Sequence, residues 1–184
     1  MTKENRKFGV AVNLTLATVF AALVFVVTSF IPPIPVPATG GYFNLGEATI
    51  YVAALLFGPF VGGFSGGVGA GLADVYLGYV LFAPGTLIIK GVEGAAVGFL
   101  NIKLRKAVPN QTVRAVISVI TGGTAIVVGY FLYETLLATL FPSLGILAIA
   151  EIPLNIAQML IGLIIAVPIM HAVQRIFPQL KNQI

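Results

Sequence analysis

The amino-acid sequence predicts an all-α membrane protein with six transmembrane helices and with both termini in the cytoplasm. Of its 184 residues, 58% are hydrophobic and 9% are charged, and the mean hydropathy is +1.03. A soluble domain carries roughly 25% charged residues, so this composition excludes a water-facing surface. Long uncharged stretches predict the helices. Nine of the ten Lys and Arg residues lie in three short segments, and these predict the orientation.

The helices are predicted from stretches close to the 20 or so apolar residues that cross the hydrocarbon core. We expect one integral membrane domain over residues 1–184, with helices at residues 8–30, 44–57, 60–80, 84–101, 114–140 and 147–173. The first run follows a basic head and is too long for the apolar part of a signal peptide, so we interpret it as a retained helix. Gly58-Pro59 separates the short second helix from the third.

The first connection, residues 31–43, contains four prolines and two glycines. Proline fixes φ and removes a backbone donor, so this segment is predicted to be extended and semi-rigid. It is long enough to fold over a site.

The basic segments fix the predicted orientation. They lie at the N-terminus, from Lys103 to Arg114, and from Arg175 to Lys181. With six helices all three fall on one side, and the connections on the other side carry no cation. The positive-inside rule then places that basic side, and both termini, in the cytoplasm.

The remaining charges lie within or beside the apolar runs. They are Lys90 and five of the six acids, Glu47, Asp74, Glu93, Glu134 and Glu151. An ionisable group inside a bilayer costs about 2.5–3.5 kcal/mol even on lenient scales, so such groups usually serve a function. At 1.5 Å of rise per residue, all of them fall in the outer half of the bilayer. This common depth predicts a pocket that opens to the outside.

The sixth helix carries Glu151, Asn155, Gln158 and Gly162 at offsets of 0, 4, 7 and 11, which form one helical stripe. We expect this stripe to face a ligand. Two alternatives stay open: Asn and Gln can bond neighbouring membrane helices, and Glu151 can cap a helix that starts before Pro153.

Two further groups are candidates. Lys90 and Glu93 are three residues apart on the fourth helix, where they line a pocket or form an ion pair that locks the third helix through Asp74. Tyrosines near the outer end of the fifth helix are interface anchors or walls for a planar ligand. The complete set of residues expected to bind substrate is Glu47, Lys90, Glu93, Tyr130, Tyr133, Glu134, Glu151, Asn155 and Gln158.

The sequence shows no pattern of an enzyme. There is no cysteine, so disulfides, thiolate metal sites and cysteine nucleophiles are excluded. We find no catalytic triad, zinc motif or complete phosphate loop, and we expect no cofactor, no bound metal and no nucleic-acid partner. The glycines of the third helix repeat at four-residue spacing, which is typical of closely packed membrane helices.

The whole chain resembles the substrate-binding (S) components of energy-coupling factor (ECF) vitamin transporters. The resemblance lies in YFNLGEATIYVAALLFGPFVGGFSGGVGAGLADVYLGY, PGTLIIKGVEGAAVGFL and EIPLNIAQMLIG, and it is nearest to the hydroxymethylpyrimidine (thiamin-precursor) subgroup. It implies the S-component fold and a multi-pass protein of a prokaryotic cell membrane. The resemblance further implies that the protein captures a vitamin from outside and joins a transmembrane coupling (T) subunit and two ATPases in an ABC importer. The resemblance also implies that the motif Ala17-x-x-x-Ala21 docks on the coupling subunit.

The charges suggest the chemistry of the substrate. One cation and five carboxylates in the outer half would repel an anionic vitamin, whereas a neutral or weakly basic ring with an exocyclic amine suits them. Hydroxymethylpyrimidine is therefore expected, with riboflavin or pyridoxine as alternatives. A small proton-coupled secondary transporter would also bury carboxylates, but it usually shows inverted repeats and a midplane site, which this sequence lacks.

Overall fold

The computed structural model describes residues 9–31, 33–36, 41–140 and 147–182. The basic N-terminal head and the connection before the sixth helix lie outside these residues. The elements are α1 (Val10–Phe30), β1 (Ile34–Val36), β2 (Gly41–Phe43), α2 (Gly46–Phe57), α3 (Pro59–Leu77), α4 (Ala83–Lys103), α5 (Gln111–Leu140), α6 (Leu147–Ile176) and a final 3-10 turn (Pro178–Asn182). The predicted all-helical class is confirmed.

The helices divide by length. Four of them, α1, α4, α5 and α6, are long and apolar enough to cross a membrane. The shorter α2 has ten of its twelve residues buried and packs against α1, α3, α4 and α6. It is the central helix of the bundle, and the other helices build the binding site around its first turn.

The proline-rich connection contains a small antiparallel hairpin. Ile34 pairs with Phe43, and Pro35 pairs with Tyr42. The backbone is extended, as the prolines predict, but the strand pairing is an addition to the expected loop. This hairpin delivers the chain to the start of α2.

Glycine conformation sets two helix ends. Gly58 has φ +89° between α2 and α3, and its N–H bonds the carbonyl of Ala54. Gly78 has φ +88° and ends α3 in the left-handed region. Residues other than glycine rarely adopt a positive φ, so both helix ends depend on glycine. Pro59 occupies the first position of α3, where its fixed φ suits the start of a helix.

Glycines also bring α3 and α4 close together. A Cβ on Gly66 would lie 2.6 Å from the carbonyl oxygen of Lys90, and one on Gly62 would lie 2.7 Å from that of Gly94. Such backbone approach is possible only without side chains. The contact holds the Lys90 segment of α4 beside the bundle interior.

The motif in α1 faces inward. Ala17 and Ala21 are 1% and 7% exposed. Ala17 packs with Ala53 of α2 and Val61 of α3. The structure therefore places both alanines in the interior, whereas direct docking on a partner requires a surface position. The neighbouring Ala22 is exposed.

The charges separate along the bundle. Apart from Lys90, the described cations lie at or beyond the C-terminal ends of α4 and α6 and at the N-terminal end of α5. There Arg114 donates to the side-chain oxygen of Asn101 and to the carbonyl of Val108, both at 3.1 Å. Asn101 in turn donates to the carbonyl of Leu55 at 3.2 Å. This network fastens the basic end, and the cavity lies at the opposite end.

Candidate substrate-binding site

A polar cavity of about 50 Å³ lies at the end of the bundle away from the basic segments. All six helices, the hairpin and the α3–α4 connection contribute side chains to it. Its lining residues are Thr28, Tyr42, Asn44, Gly46, Glu47, Ile50, Ala70, Asp74, Tyr79, Phe82, Thr86, Lys90, Tyr130, Glu151, Asn155 and Gln158.

A buried network centred on Glu47 forms one side of the cavity. The ammonium of Lys90 pairs with Glu47 Oε1 and lies 3.5 Å from Glu93 Oε2. Gln158 Nε2 donates to the same Glu47 oxygen at 3.0 Å. A buried ion pair is stable only when further hydrogen bonds satisfy it, and Gln158 supplies one. The network joins α2, α4 and α6 at a single point.

Glu93 supports this network from behind. Its Oε1 accepts a hydrogen bond from the Tyr51 hydroxyl at 2.5 Å, and neither residue lines the cavity. The ion pair therefore locks α4 to α2, rather than to α3 through Asp74 as one sequence interpretation proposed. Lys90 combines both suggested roles, because it forms the lock and also lines the cavity.

The hairpin is fastened to the cavity wall through Tyr42 and Asn44. The Tyr42 hydroxyl donates to Asp74 Oδ1 at 2.6 Å, and its ring contacts that of Tyr79 in a tilted arrangement with centroids 4.7 Å apart. The backbone N–H of Asn44 donates to Gln158 Oε1 at 3.3 Å, and Asn44 Oδ1 accepts from the N–H of Gly46 at 2.8 Å. Burial, and then the Asp74 carboxylate, raise the pKa of Tyr42, so its hydroxyl remains a donor at neutral pH.

An aromatic wall completes the site. The Tyr130 hydroxyl and Thr86 Oγ1 share a hydrogen bond of 2.8 Å. Lys90 Nζ lies 5.6 Å from the centroid of the Tyr130 ring, within the range of a cation–π contact. With Tyr79 and Phe82 in the lining, the cavity presents ring faces as well as hydrogen-bonding groups.

Some polar groups of the lining have no hydrogen-bond partner among the described residues. Thr28 Oγ1 and Glu47 Oε2 are buried and make no hydrogen bond with the described residues. The side-chain amide of Asn155 likewise makes none within the described part of the chain. Most buried polar groups are hydrogen-bonded, so the Thr28 and Glu47 oxygens are exceptions within the cavity lining. The lining contains three carboxyl groups and one ammonium, which disfavours an anion.

The cavity brings together six of the nine residues predicted to bind substrate: Glu47, Lys90, Tyr130, Glu151, Asn155 and Gln158. Glu93, Tyr133 and Glu134 do not line it. Tyr133 packs its ring beside Gly85 and donates to the carbonyl of Leu81 at 2.8 Å. Glu134 is buried next to Glu151, and neither of its oxygens has a hydrogen-bond partner among the described residues.

The predicted set of substrate-binding residues omitted lining residues from α1, α3 and the hairpin. Asp74 carried a signal, because it is an acid inside an apolar run. Tyr42 and Asn44 lie in or beside the connection that was expected to fold over a site. Thr28, Thr86 and Phe82 carry no signal in the sequence, since hydroxyl and aromatic residues are common in apolar helices.

The fold and the cavity define a helical membrane protein with a partly open cavity, lined by polar and aromatic side chains, at one end of the bundle. Residues 10–175 match a protein-family model described as "ECF-type riboflavin transporter, S component". The chain belongs to this S-component family. Its members are non-enzymatic substrate-binding subunits that work with transmembrane coupling and ATPase subunits.

Two further similarities agree with this family. The fold is similar to a solved structure titled "Structure and mechanism of the S component of a bacterial ECF transporter", with a TM-score of 0.66 and 19% identity, over 91% of this chain and 98% of that chain. The sequence is 42% identical over 139 residues to a protein of Pyrococcus woesei described as "Uncharacterized protein in gap 3'region". That match covers 76% of this chain and 86% of the relative.

Proposed function

We propose that this S component captures a neutral or weakly basic planar vitamin from outside the cell and delivers it to an ECF-type importer. The observation that carries the proposal is the cavity, in which ring faces stand beside unpartnered polar groups. Thr28, Glu47 and Asn155 have hydrogen-bonding capacity that no described residue uses. A ligand that satisfies them gains affinity without displacing an existing bond.

The orientation follows from the charge separation. Six helices cross the bilayer of a prokaryotic cell membrane, and the basic ends of α4, α5 and α6 lie in the cytoplasm. The cavity then opens to the outside, and the first connection lies at its mouth. This direction suits capture of a scarce nutrient.

Hydroxymethylpyrimidine is the substrate that the chemistry of the cavity supports best. Its exocyclic amine is a donor for Glu47 or Glu151, and its ring nitrogens accept from an amide such as Asn155. The cavity of about 50 Å³ is much smaller than the roughly 300–1,000 Å³ of pockets for drug-sized ligands, which favours a single ring.

Riboflavin is the second candidate, because the matched family model is described as a riboflavin transporter component. The imide of its ring system offers an N–H and two carbonyls to the same polar groups. Its three fused rings need more space, so binding would require the side chains around Tyr130 and Phe82 to move apart. Pyridoxine is a third ligand of suitable charge.

The partners are a T subunit and two ATPases, with ATP hydrolysis confined to the ATPases. Docking involves α1, although Ala17 and Ala21 would have to separate from α2 and α3 to touch a partner directly. A small proton-coupled secondary transporter would instead move its substrate without an ATPase. It is the less favoured class, because the cavity lies at one end of the bundle rather than between symmetric halves.

A titration of the purified chain in lipid nanodiscs tests the proposal. The panel contains hydroxymethylpyrimidine, riboflavin and pyridoxine, with the anions pantothenate and biotin as controls. We expect submicromolar, one-to-one binding of one of the first three and no binding of the anions. The chain contains no tryptophan, so changes in riboflavin fluorescence report its binding with little interference. If no vitamin binds, the capture role is wrong.

A further inference from the structure

The two carboxylate oxygens of Glu47 have different surroundings. Oε1 accepts the hydrogen bond from Gln158 and pairs with the ammonium of Lys90. Oε2 is buried and has no hydrogen-bond partner among the described residues. The residue is 1% exposed and belongs to the cavity lining. One half of this carboxylate is thus fixed by the protein, and the other half is unused.

An unused buried acceptor is costly. Leaving such a group without a donor costs about 1–3 kcal/mol, and more when the group is charged. The Thr28 hydroxyl on α1, which also lines the cavity, is likewise buried and has no partner in the described part of the chain. Gly46, which precedes Glu47, packs so closely on Thr28 that a Cβ at this position would overlap its hydroxyl. Two adjoining walls of the same cavity therefore each present an unsatisfied group.

We propose that Glu47 Oε2 accepts a hydrogen bond from an N–H of the ligand, on a ring nitrogen or an exocyclic amine, with the Thr28 hydroxyl beside it. Glu47 is then the residue that selects nitrogen heterocycles carrying such a donor. This inference rests on the proposed function, because it concerns the same cavity. It identifies the protein atom that accepts the hydrogen bond and the ligand group that donates it.

The other carboxyl groups are less suited to this role. Glu151 also lines the cavity, but it lies against the buried carboxyl group of Glu134. Asp74 already accepts the Tyr42 hydroxyl, and Glu93 does not line the cavity. The orientation of Glu47 is fixed from two sides by Lys90 and Gln158, so its free oxygen has a defined position before the ligand arrives. Such preorganisation lowers the cost of binding and makes recognition specific.

The test compares two ligands that differ only in the donor. For the pyrimidine these are hydroxymethylpyrimidine and its analogue without the amino group. If the vitamin panel selects riboflavin, the pair is riboflavin and 3-methylriboflavin. A hydrogen bond to a charged acceptor contributes about 1.5–3 kcal/mol, so the wild type should prefer the N–H ligand about 10- to 150-fold.

Glu47→Gln is the matched variant. It can keep the oxygen that bonds Lys90 and Gln158, while an amide NH₂ replaces the free acceptor. We expect the preference for the N–H ligand to fall to about threefold or less, because a donor then faces a donor. Glu93→Gln is the control, since it changes the same ion pair away from the cavity. This control should lower the affinity for both ligands by the same factor and leave the ratio of the two affinities unchanged.

The outcomes separate the two levels of the proposal. If neither ligand of either pair binds the wild type, and pyridoxine also fails, the capture function is wrong. If both ligands of the selected pair bind the wild type equally, capture stands but recognition of an N–H is overturned. The comparison of the two ligands on the wild type needs no variant, so it tests recognition of an N–H even if Glu47→Gln does not fold. If Glu47→Gln keeps the wild-type preference, another group is the acceptor and the assignment to Glu47 is overturned.

Discussion

The side-chain amide of Gln158 on α6 donates to Glu47 at the start of α2 across 3.0 Å, although the two residues are 111 positions apart in the chain. The same amide accepts the backbone N–H of Asn44 through its oxygen. One side chain therefore joins the connection after the hairpin, the central helix and the last helix. This link positions the cavity wall.

Replacing Gln158 with alanine should weaken vitamin binding about tenfold or more while the protein stays folded. The variant removes a hydrogen bond to a charged group, and such a bond contributes about 1.5–3 kcal/mol. Titration gives the affinity, and thermal unfolding in detergent checks the fold. Unchanged affinity would mean that Glu47 and Asn44 hold their positions without this amide.

Lys90→Met should destabilise the protein by about 3–5 kcal/mol, because it leaves the Glu47 carboxylate buried without its cation. The exposed Lys103→Met, at the basic end, is the control and should change stability by at most about 0.5 kcal/mol. Denaturant or thermal unfolding of both variants makes the comparison. Equal stability of the two would show that the buried ion pair contributes nothing to the fold.

Gly62→Ala should destabilise the α3–α4 contact, because the added Cβ would lie 2.6 Å from the Cβ of Ala54 and 2.7 Å from the carbonyl oxygen of Gly94. Gly91→Ala on the facing helix is the control. Its Cβ would meet nothing nearer than 3.6 Å, which is ordinary van der Waals contact. We expect a clear loss of melting temperature for the first and little change for the second. The opposite order would contradict the described register of α3 against α4.

The two sides of α1 can be tested separately for docking. Ala17→Trp should destabilise the fold and thereby weaken vitamin binding, since Ala17 is 1% exposed and overpacking a core costs about 1–3 kcal/mol or more. Ala22→Trp on the exposed side should leave binding intact and block assembly with the coupling subunit. Co-purification with that subunit gives the readout. Normal assembly of Ala22→Trp would place docking away from this side of α1.

The helix count and the separation of charges could be predicted, because apolar stretches and clusters of Lys and Arg are direct properties of the sequence. Side-chain direction could not. The helix α1 is apolar all round, with small residues on more than one side, so no periodicity shows that Ala17 faces inward and Ala22 outward. The pairing of Ile34 with Phe43 depends on contacts that proline content alone does not specify.

The site was predicted best where polar residues are rare. Glu47, Lys90 and Gln158 stand out in apolar helices, and the structure brings them together. Tyr130 and Tyr133 are three positions apart and look equivalent, yet only Tyr130 lines the cavity, because Tyr133 packs beside Gly85. That difference depends on how α5 is rotated against α4, which packing of the whole bundle determines.

The most direct measurement is a parallel titration of the wild type and Asn155→Leu with the vitamin that the panel selects. Asn155 lines the cavity, and its amide makes no hydrogen bond to another described residue, so the substitution leaves no protein group without its partner. We predict that the wild type binds one vitamin per chain with submicromolar affinity. We also predict that the affinity of Asn155→Leu is lower by about tenfold or more. Equal affinity of the two proteins would place the ligand outside this cavity and contradict the account.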